Sequence, residues 1–261
     1  MQESSAKDLN AMTMQVGLIG IDGIVIASDT LLQQMEQGGR SVGNVSKVLW
    51  DIPGLVCCHS GDSVAESAAN IIREFWRDKS PSEQAIKDAL QVAGNRAWKE
   101  HAKLATQRRQ PLPDITRKVI VACHDQLWLL EVRQRSLATR RKDRVLAGDA
   151  ENTARHFINK YATGSYLLPL RQLITLAAYS VIVAGQENPY GIDGLEVIVI
   201  PKNSKPIPLT LEQEMALKRL SETIHDVIRE QVLQPFHYEA VSGGGEPLVR
   251  PAVPLAPKRD P

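Results

Sequence analysis

Cysteine is scarce: the 261-residue chain holds three, Cys57, Cys58 and Cys123. An odd number without Cys-x-x-Cys spacing excludes a disulfide framework, signals no zinc site and suits reduced thiols. Aromatic residues make up only 5%, and no run approaches the roughly 18 consecutive apolar residues that a membrane-spanning helix needs. Residues 1–12 (MQESSAKDLNAM) lack the apolar centre of a secretory signal, so the expectation is a cytoplasmic protein without a membrane partner. An excess of one charge is missing too. Thirty-one Lys and Arg stand against 30 Asp and Glu, which leaves no global basic field to attract nucleic acid. The local basic cluster Arg140-Arg141-Lys142, with Arg135 upstream, has no interleaved aromatics and reads as a solvated hairpin. What the chain does have, 43% hydrophobic and 23% charged residues, is enough apolar material for an ordinary globular core.

Residues 14–29 (MQVGLIGIDGIVIASD) form two apolar runs broken at Asp22-Gly23, a strong type I′ hairpin signal, so they predict two antiparallel strands. Residues 30–46 are polar and glycine-containing and read as a connection. Lys47-Val48-Leu49-Trp50, Pro53-Gly54 and Leu55-Val56-Cys57-Cys58 repeat the strand, turn, strand pattern. Ser63 and Glu66 have capping-box spacing, and the apolar residues that follow predict a helix to about Asp78. A second helix begins at Ser80-Pro81-Ser82 and carries Ile86, Leu90, Ala93 and Trp98 on one face. Residues 118–123, 127–132 and 143–147 read as strands, 150–161 and 168–185 as helices, and Leu195–Ile200 (LEVIVI) as a closing strand. Each sheet face and helical stripe needs an apolar partner, so this order predicts an α+β fold built as a four-layer αββα sandwich. Thr210 caps an added C-terminal helix with Leu217, Leu220, Ile224 and Ile228 on one side. Residues 242–261, with a triple glycine and five prolines, read as a flexible tail.

The segment Thr13–Gly61 resembles the opening of proteasome β-type subunits, a family of N-terminal-nucleophile hydrolases, in the manner of a divergent bacterial member. The resemblance rests on Thr13, Val16-Gly17, Asp22-Gly23 and Asp29, sixteen positions after the threonine, without a gap. Gly43-Asn44-Val45-Ser46-Lys47-Val48-Leu49 resembles the family's lysine stretch once two inserted residues are allowed, and Ser60-Gly61 its small-residue turn. The order of elements extends the likeness to about residue 201. It implies a leader or propeptide over 1–12, a hydrolase domain over 13–205 and a helical extension over 206–241, before the 242–261 tail.

That resemblance implies a threonine endopeptidase that needs no cofactor. A hydroxyl is a weak nucleophile until a base takes its proton, and an N-terminal threonine carries that base as its own α-amine, with an ordinary pKa of about 7.7 to 8.0. Thr13 is then nucleophile and base together, provided it becomes the first residue, either by removal of a propeptide or by initiation at Met12. Lys47 favours the neutral amine and stabilises negative charge on Oγ, with Asp29 holding the ammonium in place. Ser60 and Gly61 supply oxyanion N–H donors at a helix start. Asp149 and Asn188 stand at the positions that support the amine. Asp149 reads equally as a helix cap, and Asp193 is a substitute for Asn188 or, more simply, a turn residue. Leu32, Val45, Leu49 and Cys58 fall at substrate-pocket positions and imply an apolar side chain ahead of the cleaved bond. His59 reads as structural, one of Cys57 and Cys58 as core and the other as pocket-lining, and Trp76, Trp98 and Trp128 as packing. The implied partners are peptide or unfolded protein as substrate, further copies of the chain in a ring, and an ATP-dependent unfoldase. A noncatalytic ring subunit and a small-amide hydrolase are the alternatives.

Overall fold

The computed structural model describes residues 13–36, 39–60, 62–76, 82–109, 116–148, 150–161, 167–188 and 191–232. The leader 1–12 and the 242–261 tail lie outside the described residues. The fold is mixed α/β with two five-stranded antiparallel sheets. In the first, β1 (Met14–Gly20) and β2 (Gly23–Ser28) form the hairpin expected at Asp22-Gly23. β10 (Arg144–Gly148) flanks β1, and β11 (Glu196–Pro201) followed by β12 (Ile207–Pro208) flanks β2. The second sheet runs in sequence order through β5 (Val48–Ile52), β6 (Leu55–His59), β7 (Arg117–Cys123), β8 (Gln126–Val132) and β9 (Leu137–Arg141).

The alternation of β1 decides its two faces. Met14, Val16 and Leu18 are buried in a cluster with α3 (Glu151–Tyr161) and α4 (Leu170–Glu187). Gly17 points the other way, where a Cβ would stand 3.1 Å from both Ile120 and Leu127 of the second sheet. A second cluster joins β6, β7 and β8 to α1 (Ser63–Phe75) and α2 (Glu83–Gln107) through residues such as Ile72, Leu90 and Trp128. A third draws on strands of both sheets, among them Ile26, Val48, Cys58, Ile120 and Ile198.

Four local expectations are corrected. Residues 31–44 are not a plain connection: β3 (Leu31–Glu36) and β4 (Gly39–Asn44) pair with each other in a separate two-stranded ladder. Neither has the period-2 apolar pattern that marks a half-buried strand, so only their backbone pairing reveals them. The cap of α1 is Asp62 rather than Ser63, because its extended backbone lets one carboxylate oxygen accept from Val64 N at 3.1 Å and Ala65 N at 3.0 Å. That helix ends at Phe75, short of Asp78; Trp76 leaves the helical conformation and stacks on His124 with centroids 5.6 Å apart. A strand is added between those expected at 127–132 and 143–147: Arg140 and Arg141 belong to β9, which pairs with β8, so the basic cluster lies on an exposed hairpin as expected, and the chain then crosses to the other sheet as β10.

The chain divides into a unit covering Met1–Ser221 and another covering Glu222–Pro261. The first includes the start of α5 (Leu211–Val232), capped reciprocally: Thr210 Oγ1 accepts from Gln213 N at 3.3 Å, and Gln213 Oε1 accepts from Thr210 N at 2.8 Å. The second is described over residues 222–232, the last turns of that helix. Among the described residues no helix is long and apolar enough to cross a membrane.

Candidate active site

The β1–β2 register pairs Gln15 with Ser28, so the residues just outside the ladder, Thr13 and Asp29, meet at one end of the first sheet. Asp29 N donates to Met14 O at 3.1 Å, and Met14 N returns a bond to Asp29 Oδ1 at 2.9 Å. The same Oδ1 accepts the Thr13 hydroxyl at 2.7 Å. Lys47 arrives from the second sheet, immediately before β5, with its carbonyl held by His59 N at 3.0 Å. Its ammonium donates to Asp29 Oδ2 at 2.6 Å and to Thr13 Oγ1 at 3.3 Å. Three residues separated by up to 34 positions thus form one hydrogen-bonded group.

The group is dry. Thr13 is 2% exposed, Lys47 1% and Asp29 0%. Burial pushes the Asp29 carboxyl above its ordinary range, while the Lys47 charge and the hydrogen bonds from Lys47, Met14 and Thr13 pull it back down. A buried cation directed at a hydroxyl oxygen stabilises negative charge there, and the carboxylate fixes where that cation sits.

The remaining expected site residues are placed as follows. Ser60 lies at the end of β6, and its hydroxyl donates to Asp62, the carboxylate that caps α1. Gly61 and Asp149 lie outside the described residues. Asn188 closes α4, its amide donating to Ala184 O at 3.2 Å, and among the described residues no hydrogen bond joins it to Thr13. Asp193 serves as a turn residue: its carbonyl accepts from Thr30 N at 3.0 Å and Leu31 N at 3.1 Å, beside Asp29. Leu32 stands opposite Gly43 in the β3–β4 ladder. Val45 is exposed and lines a cavity of about 480 Å³ with Thr30, Trp50 and Met215. Leu49 and Cys58 lie on opposite faces of the second sheet, since Cys58 pairs with Val48 and Cys57 with Leu49. Both Cys57 and Cys58 are fully buried, and burial raises both thiols, which keeps them protonated.

No protein-family model matches the chain, and neither does any curated protein sequence. Solved structures do. The Gly-1 mutant of Anbu from Hyphomicrobium sp. strain MC1 superposes with a TM-score of 0.65 at 12% identity, over 87% of this chain and 99% of that one. The helical assembly of the Anbu complex from Pseudomonas aeruginosa gives 0.60 at 17%, over 85% and 98%. Anbu, described as an ancestral beta-subunit, from Yersinia bercovieri gives 0.59 at 14% over the same shares. This chain shares the Anbu fold.

Two further features shape the site. Gly148, at the end of β10, has φ +109, and a Cβ there would lie 2.0 Å from Thr13 O. Only glycine lets the backbone of β10 approach Thr13 so closely. The second is Glu196, a lone charge in the β-branched run LEVIVI; its charge among apolar neighbours was the available signal.

His59 gives a test of burial. The side chain is 5% exposed, and burial lowers its pKa to about 4. The unfolded chain takes up this proton near pH 6.5, the folded one only near pH 4. Between those values acid favours the unfolded state, so this residue's contribution is present above pH 6.5 and lost on the way down, on the order of 3 kcal/mol in all. Urea unfolding from pH 7.5 to 4 measures it, and His59→Asn should flatten the slope. An equally steep loss in that variant would assign the acid sensitivity elsewhere.

Proposed function

We propose that this protein is a proteasome-like threonine peptidase that works as a self-assembled ring, with Thr13 as the first residue of its mature chain. The observation that carries the reading is the Lys47 ammonium, 3.3 Å from Thr13 Oγ1 and bound at 2.6 Å to the carboxylate that also accepts the threonine hydroxyl. The Anbu fold supports it, as does the helical assembly of the Pseudomonas aeruginosa Anbu complex for self-association. We read the two sheets and their helices as a four-layer αββα hydrolase domain over 13–205, followed by the helix α5.

In this reading the free α-amine of Thr13 takes the Oγ proton as Oγ attacks the peptide carbonyl. Lys47 holds down the charge on Oγ and discourages a second ammonium beside it. The Ser60 N–H, next to the N-terminus of α1, stabilises the oxyanion, aided by the helix dipole. The new ammonium then protonates the departing amine, leaving an ester on Oγ, and the amine activates water to release it. An apolar residue ahead of the cleaved bond is the expected preference, with exposed Val45 as its contact.

Intact mass and N-terminal sequencing of native protein test maturation, and a peptide panel tests chemistry. Protein beginning at Thr13 should hydrolyse peptides, and Thr13→Ala should lose at least about 10³-fold in kcat without losing its assembly. Active protein that still begins at Met1, or near-normal turnover by Thr13→Ala, removes the nucleophile; an inactive assembly retaining the leader indicates the noncatalytic subunit.

A further inference from the structure

Lys47 stands just ahead of the β5–β6 ladder, its carbonyl held by His59 N, and its ammonium must be placed to within a fraction of an ångström. The segment that carries it, Val45–Val48, is tied to β11 by one side chain. Ser46 Oγ donates to the Glu196 carboxylate, 2.8 and 2.9 Å from its two oxygens, lies 3.0 Å from Val48 O and accepts from Val48 N at 3.3 Å. The backbone N–H groups of Lys47 and Val48 also face that carboxylate and pull its pKa down against burial. Glu196 therefore draws on all three consecutive residues centred on Lys47.

Its own position is fixed from the other side. In the sheet register Glu196 stands opposite Ser28, the residue before Asp29. The next residue, Val197, donates its N–H to Glu214 Oε1 of α5 at 3.3 Å, and its carbonyl accepts from Leu209 N at 2.9 Å. The strand that carries Glu196 is thus bonded both to the strand leading to Asp29 and to the segment entering α5.

We infer that Glu196 is a positioning residue: its carboxylate grips the Ser46-Lys47-Val48 backbone and so sets the reach of the Lys47 ammonium to Thr13 and Asp29. The functional part of this inference rests on the peptidase reading above. A glutamine can keep the grip, because its carbonyl accepts from the backbone N–H groups while its amide donates to Ser46 Oγ, whose proton then turns to Val48 O, 3.0 Å away. Alanine cannot. Losing the grip misplaces a group by about an ångström, which costs on the order of 10²-fold in rate.

Four full-length proteins, wild type, Glu196→Ala, Glu196→Gln and Ser46→Ala, are compared by kcat and KM on an apolar peptide substrate and by crystal structure. Glu196→Ala should lose about 10²-fold in kcat with KM nearly unchanged, Ser46→Ala should lose less, and Glu196→Gln should recover most of the loss. In the Glu196→Ala structure the Lys47 ammonium should leave hydrogen-bond reach of Thr13 Oγ1. Unchanged kcat in Glu196→Ala, a loss confined to KM, or a glutamine variant as impaired as the alanine one overturns the inference. If wild type hydrolyses no peptide, the peptidase reading fails by itself, and the Lys47 position in Glu196→Ala still decides: displaced supports the grip, unmoved refutes it. Ser46→Ala, which removes a surface hydroxyl only, gives the same answer should Glu196→Ala fail to fold.

Discussion

Replacing Lys47 with alanine should remove hydrolysis and loosen the fold at once, because the side chain neutralises a carboxylate that has no water to turn to. Asp29 is fully buried and shares its two oxygens among Lys47, Thr13 and Met14 N. Removing one partner of a buried ion pair leaves an uncompensated charge, which costs about 3–5 kcal/mol. The chemical loss has a separate origin, the missing cation beside Oγ, and should reach about 10³-fold in kcat or more. Combining Lys47→Ala with Asp29→Asn separates the two. The double variant holds no stranded charge and should regain much of the stability in urea unfolding, while peptide turnover stays lost. A double variant as unstable as Lys47→Ala alone would mean that the pair is not what strains the single substitution. Turnover near wild type in either protein would mean that Lys47 takes no part in the chemistry.

Gly148→Ala should be the most damaging single methyl addition near the site. The new Cβ would come within 2.0 Å of Thr13 O, 2.7 Å of its carbonyl carbon and 3.1 Å of Cγ2, on a backbone with φ +109. Neither carbonyl atom is the end of a flexible side chain, so Thr13 or β10 has to move. The unfavourable backbone alone costs about 1–3 kcal/mol, and a displaced Thr13 should lower kcat by about 10²-fold. Gly43→Ala is the control, since a Cβ at Gly43 meets nothing within 4 Å. Thermal melting and turnover of both variants decide the matter; equal behaviour of the two would show that the approach of β10 to Thr13 has slack.

The sequence makes the core strands readable through short-range patterns, and the central site through its resemblance to proteasome β-type subunits. Alternating apolar residues with Asp22-Gly23 between them define the β1–β2 hairpin, and that hairpin alone brings Thr13 to Asp29. Lys47 is singled out only because Gly43–Leu49 resembles the lysine stretch of proteasome β-type subunits. What pattern does not reveal depends on backbone geometry or on distant partners. The β3–β4 ladder is held by main-chain pairing among residues with no apolar period. Asp62 outcompetes Ser63 as a cap through a dihedral angle no composition encodes. Glu196 meets Ser46 across 150 positions, a distance at which one sequence offers no signal beyond a charge among apolar neighbours.

Thr13 and Asp29 hang from the first sheet, whereas Lys47 leads into the second, and the apolar cluster that includes Val48 draws on both. The three groups meet only when the sheets have closed on each other. A nascent or half-folded chain therefore carries the hydroxyl without its cation, and the hydrophobic closure that completes the core is also the event that arms the site. Under the proposed peptidase reading, competence is a late property of the folded chain: any lesion that parts the sheets, however far from Thr13, should disarm it before it unfolds it.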